Sequence, residues 1–259
     1  MIRKQNNEAI ESTKSQKSSI PFVKMHGAGN DYVYLDCFVP ETAALVARID
    51  LPELARRISD RHRGVGSDGL VLIMPSNGAD ARMRIFNADG SEAEMCGNAI
   101  RCVGKYLYES GNYTKRRLLI ETLAGIRSLT LQLTDSEVEA VTVNMGTTLG
   151  NPHHVCITDE PVDTIAIHEI KDTNAEWINV LNRHEIRMRV WERGSGETQA
   201  CGTGACASAV EAMNQGLTDD EVIVHMRGGD LTIRRDEQGC IFMTGPATEV
   251  FRGIYYWEE

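Results

Sequence analysis

Glu92-Ala-Glu-Met-Cys96-Gly97-Asn98-Ala-Ile-Arg-Cys-Val-Gly-Lys-Tyr-Leu-Tyr-Glu-Ser-Gly111 and Glu197-Thr-Gln-Ala-Cys201-Gly202-Thr203-Gly204-Ala-Cys-Ala-Ser-Ala-Val-Glu-Ala-Met-Asn-Gln-Gly216 are two copies of one pattern. In each copy a Glu stands four residues before a Cys-Gly, and an apolar helical run ends at a Gly fifteen residues after the Cys. The upstream flanks agree too. Arg84-Ile-Phe-Asn87 and Arg189-Val-Trp-Glu192 place an Arg twelve residues, and an Asn or Glu nine residues, before each cysteine. A repeated unit that puts a cysteine at a helix start predicts two half-molecules with a site between them.

The first-turn N–H groups of a helix have no partner within it, and the helix dipole leaves that end partly positive. Both effects favour thiolate over thiol, and they make the same spot a receptor for a carboxylate. A glycine directly after each cysteine lets a ligand approach the backbone. The bland alternative makes Cys96 and Cys201 buried structural cysteines; the repeat, which keeps both at the same helix position, weighs against it.

The rest of the chain fits two α+β halves. Strands are expected at Phe22–His26, Tyr32–Asp36, Leu70–Ile73, Arg82–Phe86, Leu118–Thr122, Ser128–Leu133 and Val138–Met145, with a helix over Leu51–Arg61. The second half begins at Gly150-Asn151-Pro152-His153, whose Gly-Asn answers Gly29-Asn30. Its strands are expected at Trp177–Leu181, Ile186–Trp191, Val222–Met226 and Leu231–Arg234. The Gly-Asn to cysteine distance is 66 residues in the first half (30 to 96) and 50 in the second (151 to 201), a trim of 16 in the region of the Leu51–Arg61 helix. The expected fold is therefore α+β, with two pseudo-symmetric domains, each a mostly antiparallel sheet wrapped around a central helix. Residues 1–19 are polar, without the apolar segment of a signal peptide, and read as a disordered tail. Residues 20–143 with 242–259 form the first expected domain, and 144–241 the second.

Composition sets limits. The 259 residues carry a net charge of −10, which argues against a nucleic-acid or anionic-membrane partner. No apolar run approaches the ~20 residues of a membrane span. Seven cysteines, an odd number, point to a reducing cytoplasm.

Other chemistries find little support. Gly64-Val-Gly66-Ser-Asp-Gly69 matches a dinucleotide fingerprint but lies before a strand rather than after one, so it reads as a turn. Gly202-Thr-Gly204-Ala-Cys-Ala207 does open a helix, as a general anion-binding start. The seven His and seven Cys show no zinc-type pair spacing, so no metal is expected. A pyridoxal cofactor needs a Schiff-base lysine, for which Lys24 and Lys105 qualify by position only. Two thiols at facing helix starts also suit a redox dithiol, without the usual C-x-x-C turn. Asn30, Asn87, Asn151 and Asn174 offer uncharged donors and acceptors; the first three lie in turns, and the correspondences of Asn30 with Asn151 and Asn87 with Glu192 favour a shared pocket. Arg193, beside Glu192, suits a carboxylate clamp.

Lys24-Met-His-Gly-Ala-Gly-Asn-Asp31, Arg84-Ile-Phe-Asn-Ala-Asp-Gly-Ser-Glu92, Met95-Cys-Gly-Asn98, Gly150-Asn-Pro-His153 and Val190-Trp-Glu-Arg-Gly-Ser-Gly-Glu-Thr-Gln-Ala-Cys-Gly-Thr-Gly-Ala-Cys206 together resemble the diaminopimelate epimerase family. The resemblance runs from about Phe22 to the end of the chain. It implies a cofactor-independent isomerase that converts LL- to meso-diaminopimelate for lysine and peptidoglycan precursors, in the cytoplasm. It implies Cys96 and Cys201 as the acid/base pair, with the backbone of Gly97, Asn98, Gly202 and Thr203 holding the reacting carboxylate. It further implies Asn30, Asn87, Asn151, Asn174, Glu192 and Arg193 as contacts to the rest of the substrate, with His153 close to the reacting centre. The partner expected is a small amino acid, and a homodimer is compatible with this reading. The stretches before Gly150 and before Asn174 are shorter than the family pattern, and position 69 is Gly where some members carry a polar side chain. A racemase for histidine, glutamate or lysine on the same scaffold is therefore the alternative, with a thiol-redox or binding protein behind it.

Overall fold

The computed structural model describes residues 17–147, 152–193 and 195–258. The first half runs β1 (Lys17–Gly27), β2 (Asn30–Asp36), α1 (Pro40–Val46), α2 (Leu51–Ser59), β3 (Gly69–Met74), β4 (Ala81–Asn87), β5 (Glu92–Ala93), α3 (Gly97–Glu109), β6 (Arg117–Thr122), β7 (Gly125–Thr134) and β8 (Glu137–Gly146). The second runs β9 (His153–Ile157), β10 (Asn174–Asn182), β11 (Glu185–Glu192), β12 (Gly196–Thr198), α4 (Gly202–Asn214), β13 (Glu221–Met226), β14 (Gly229–Arg235), β15 (Ile241–Gly245) and β16 (Thr248–Glu258).

The repeat seen in the sequence extends to strand pairing. β2–β3 and β9–β10 are both parallel. β3–β4 and β10–β11 are both antiparallel, as are the short additions β4–β5 and β11–β12. β4–β6 and β11–β13 return to parallel, and each half closes with two antiparallel steps, β6–β7–β8 and β13–β14–β15. The fold is thus α+β, in two pseudo-symmetric halves, each a mostly antiparallel sheet around one long helix.

Sixteen residues (158–173) connect β9 to β10, against 32 (37–68) between β2 and β3, where α1 and α2 lie. The trim falls where the sequence spacing puts it.

The expected division at 143/144 and 241/242 cuts through β8 and β15, which pair antiparallel with each other. The halves therefore share a continuous sheet at this seam, in the order β7-β8-β15-β14. Lys17–Ser19, expected in the tail, instead open β1 opposite Glu258, Trp257 and Tyr256 of β16. Their polar side chains hid a strand whose pairing comes from the far end of the chain. α1 is a further element that the periodicity missed; Pro40 sits at its first helical position, Glu41 in its first turn.

Both central helices span 13 residues. Each starts at a cysteine with extended backbone, φ −134° at Cys96 and −123° at Cys201, and each is followed by a positive-φ glycine, Gly111 and Gly216. The apolar sides of α3 and α4 pack into one core common to both halves, through residues such as Ile100, Val103, Leu107, Ala205 and Ala209. A second core lies on the other face of β1, β2 and β3, where α1 and α2 bury Leu45, Leu54 and Ile58.

Two contacts fix the helix starts against the seam. Met243 of β15 is fully buried beneath both of them. A methyl on Gly97 would stand 2.5 Å from its Cε, and one on Gly202 3.1 Å from its Sδ, so a larger residue at either position must displace the thioether end. Arg101, fully buried in α3, donates to Gly97 O (3.2 Å), Asn98 Oδ1 (2.9 Å) and Pro246 O (3.2 Å). Asn98 in turn donates to Ala200 O, at 3.5 Å, just before Cys201.

Arg101→Met leaves Asn98 Oδ1 and Pro246 O without this donor, at about 1–3 kcal/mol for a buried acceptor. The expected loss is about 3 kcal/mol of unfolding free energy, read by urea titration. A midpoint equal to that of the unaltered chain would show that the clamp contributes no stability.

Candidate active site

The first turns of α3 and α4 open onto one cavity of about 1010 Å³, lined from both halves. Cys96 and Cys201 both line it, with the backbone of Gly97, Asn98, Gly202 and Thr203 around them. Asn30, Asn87, Asn174, Glu192 and Arg193 complete the set of expected residues on its wall. Two expected residues are not among them. Asn151 lies outside the described residues. His153 turns away from the cavity: its side chain is buried, with Nδ1 2.8 Å from Oε1 of the fully buried Glu176. As the first residue of β9 it points to the interior face, and Glu176 waits there on the neighbouring strand.

The repeat explains where each residue comes from. Tyr32 pairs with Gly69 in the first half as His153 pairs with Asn174 in the second. Gly69 then faces Asn87 across β3–β4, and the Ala175–Trp191 register sets Asn174 beside Glu192 in the same manner. Asn174 thus stands where the first half has Gly69, with the larger side chain on the cavity wall. Its Oδ1 accepts from the Arg193 N–H at 2.9 Å, which holds the Glu192-Arg193 turn.

The two sulfurs have different surroundings. Cys96 Sγ lies 3.5 Å from Asn30 Oδ1 and donates to it. Burial pushes the Cys96 thiol up, while the N–H groups of Ala99 and Asn98 and the Tyr32 hydroxyl hold it down. Cys201 Sγ accepts from the Gly204 N–H at 3.4 Å and lies 3.5 Å from Thr203 Oγ1. Burial and then the Glu192 charge push its thiol well above the ordinary range. Glu192 is itself raised, first by burial, with hydrogen bonds from Thr198 and Cys201 working against the rise. All seven cysteines are free.

Sequence reasoning missed three contributors. Asp68 sits in the Gly64–Gly69 turn, where its carboxylate receives Asn30 and Arg61. Tyr32 lines the cavity with its phenol pushed far up, by burial and then by Cys96. Glu176 lies under the α4 start, so close that a methyl on Gly204 would stand 2.6 Å from its Oε1. The signal for Asp68 was its place beside a turn that had already been set aside; for Glu176 only tertiary contact reveals it. Lys24, a candidate Schiff-base lysine, is buried and ion-paired to Asp31, donating also to Gly66 O.

The sequence model of the diaminopimelate epimerase family matches residues 22–149 and 147–250. A diaminopimelate epimerase of Parabacteroides distasonis is 46% identical, covering 91% of this chain and 98% of its own. One from Geobacillus kaustophilus is 42% identical over 92% of this chain and 97% of its own. Among solved structures, a phenazine biosynthesis protein of the PhzF family from Enterococcus faecalis superposes with TM-score 0.70 at 15% identity, over 93% of this chain and 100% of that one. A hydroxyproline epimerase from Agrobacterium vitis gives 0.67 at 16%, over 95% and 94%. At such identities these two structures speak for the fold alone.

Gly204→Ala forces its methyl into Glu176, whereas the matching position of α3, Ala99, already carries one. Overpacking of this kind costs about 1–3 kcal/mol, and in a chain of this size each kcal/mol moves the thermal midpoint by about 2–4 °C. Calorimetry is expected to show a drop of several degrees for Gly204→Ala. An unchanged midpoint would mean that Glu176 yields freely.

Proposed function

The chain belongs to the diaminopimelate epimerase family of isomerases, and on that premise we propose that it interconverts LL- and meso-diaminopimelate by two-base proton transfer between Cys96 and Cys201. The observation that carries this reading is the placement of both cysteines. Each begins a 13-residue helix, at equivalent points of a repeated unit, and each lines the same cavity.

One sulfur, as thiolate, takes the α-proton from one face of the carbon. The opposed thiol delivers a proton to the other face, and the configuration inverts. Burial favours the neutral thiol at both positions, so the thiolate must be stabilised where it forms. The N–H groups at the helix starts do this, through Ala99 and Asn98 for Cys96 and Gly204 for Cys201. As the proton leaves, negative charge spreads onto the substrate's carboxylate. The first-turn N–H groups of Gly97, Asn98, Gly202 and Thr203 receive that charge. Because they are fixed by Met243 and Arg101, they need little reorganisation as the charge grows.

Glu192, half-buried on the cavity wall next to Cys201, would take the substrate's ammonium, whose positive charge offsets the cost of keeping the carboxylate ionised. The distal amino acid end then falls to Asn87, Asn174 and the Arg193 guanidinium, the one arginine among the expected contacts. The two halves, joined along β8 and β15, act as the two jaws, each supplying one sulfur. No helix among the described residues is long and apolar enough to cross a membrane. The product would supply lysine and peptidoglycan precursors.

Cys96→Ala and Cys201→Ala are each expected to abolish epimerisation, by at least the 10²–10⁴-fold attributed to acid/base catalysis, with circular dichroism unchanged. Near-normal turnover in either variant would refute the two-base assignment. α-Proton exchange in D₂O, measured by NMR on LL-diaminopimelate, histidine, glutamate and lysine, tests the substrate. Diaminopimelate is expected to exchange alone, and Arg193→Met to raise its KM more than it lowers kcat. Faster exchange with one of the other amino acids would reassign the substrate and leave the chemistry in place.

A further inference from the structure

Asn30 was expected to touch substrate, yet its carboxamide is engaged on both ends within the protein. Nδ2 donates to Asp68 Oδ2 at 2.7 Å. Oδ1 accepts from Cys96 Sγ at 3.5 Å and from Asn98 Nδ2 at 3.4 Å. The two ends of an amide differ only in hydrogen-bonding sense, so its neighbours decide which way it faces. Asp68 makes that choice here together with Asn98, whose Nδ2 faces Asn30 because its own Oδ1 accepts from Arg101. An ionised carboxylate can only accept, and Oδ2 already receives the backbone N–H of Asp31 at 3.0 Å. Arg61 Nη2 anchors the other oxygen at 2.9 Å. The amide nitrogen must therefore face Asp68, and the amide oxygen must face the sulfur. An acceptor beside a thiol stabilises S–H, whereas a reversed amide would offer N–H and stabilise the thiolate.

From this geometry we propose that Asp68 is a positioning residue that, through Asn30, holds the proton on Cys96. The proposal rests on the two-base reading of the preceding subsection, since it assigns the resting state of one of the two sulfurs. Among the described residues the Cys201 sulfur receives the Gly204 N–H, as Cys96 receives those of Ala99 and Asn98, and it meets Glu192 directly rather than through an amide. Other charged or titratable groups acting on Cys96 are Glu192 from β11, Tyr32 and Tyr34 from β2, and Arg101 and Cys102 from α3. Asp68 also acts by charge on Tyr32 and Glu192, which is why the double variant with Asn30→Ala below separates the amide from the charge.

The test reads each thiol without substrate. Protein is treated with iodoacetamide across a pH series, and alkylation of the Cys96 and Cys201 peptides is followed by mass spectrometry. Asp68→Asn, which can donate as well as accept, removes the shorter, charge-assisted bond that orients the amide and leaves only the longer one from Asn98. The Cys96 midpoint is expected to fall by about one pH unit, the worth of roughly one hydrogen bond, while that of Cys201 stays put. Asn30→Ala removes the acceptor directly and carries the same expectation, whether or not Asp68→Asn folds. In the double variant the Cys96 midpoint is expected to match that of Asn30→Ala alone, and Asp68→Glu to restore the normal profile. With substrate, Asp68→Asn is expected to lower kcat roughly tenfold with KM little changed. An unmoved Cys96 midpoint in either single variant overturns the relay. So do additive shifts in the double variant, which would mean that Asp68 acts by its charge alone, and a rise in KM with normal kcat, which would mean that it binds substrate. Active Cys96→Ala enzyme would sink the two-base reading while leaving the alkylation result free to stand or fall by itself.

Discussion

A guanidinium sealed in the core holds the two helix starts together. Arg101 is fully buried, and its partners are backbone and amide oxygens rather than a carboxylate. Removing such a charge from water is costly, and burial pushes its pKa down. The cost is offset because every acceptor lies at a place that must not move: the first turn of α3, the β15–β16 connection, and through Asn98 the residue before Cys201. Burial pushes the thiols of Cys102 and Cys206 up, to about 11 and about 12, and the same cation works against that rise. Position 206 is where α4 matches Arg101, so one charge serves both halves and the symmetry breaks at that point.

The broken symmetry continues outward. Cys96 is attended by Tyr32 and Asn30, Cys201 by Glu192 and Thr203. Where β2 carries a phenol, β9 carries an imidazole locked to Glu176. A racemising site handles two mirror-related faces of one carbon, and equal geometry suits that task. A substrate whose second end is chiral is not its own mirror image, and unequal walls around equal sulfurs suit that difference.

Much of this was legible from the repeat alone. The cysteine-started helices, the glycines that close them and the strand–glycine–strand endings all stand where spacing put them, because a local unit was copied with its caps. What the sequence concealed depended on distant partners. Lys17–Ser19 have no apolar face of their own and become a strand only because β16 offers an edge. β16 itself shows Val250, Phe251, Ile254 and Tyr256 to the outside, so its outward face does not read as polar against an inward apolar one. His153 does not line the cavity: a strand-start histidine faces whichever side the register dictates, and here the register delivers it to Glu176, beneath the α4 start. Asp68 was hidden in a motif whose usual meaning did not apply.

Met243 has a consequence for how such a scaffold is retuned. Both glycines that follow the cysteines rest on this one thioether, and it hangs from the strand that stitches the halves together. The gauge of the site is thereby set from behind, by a residue that does not line the cavity. A shorter or bulkier side chain at that one place would reset both jaws at once and leave every contact on the cavity wall chemically unaltered.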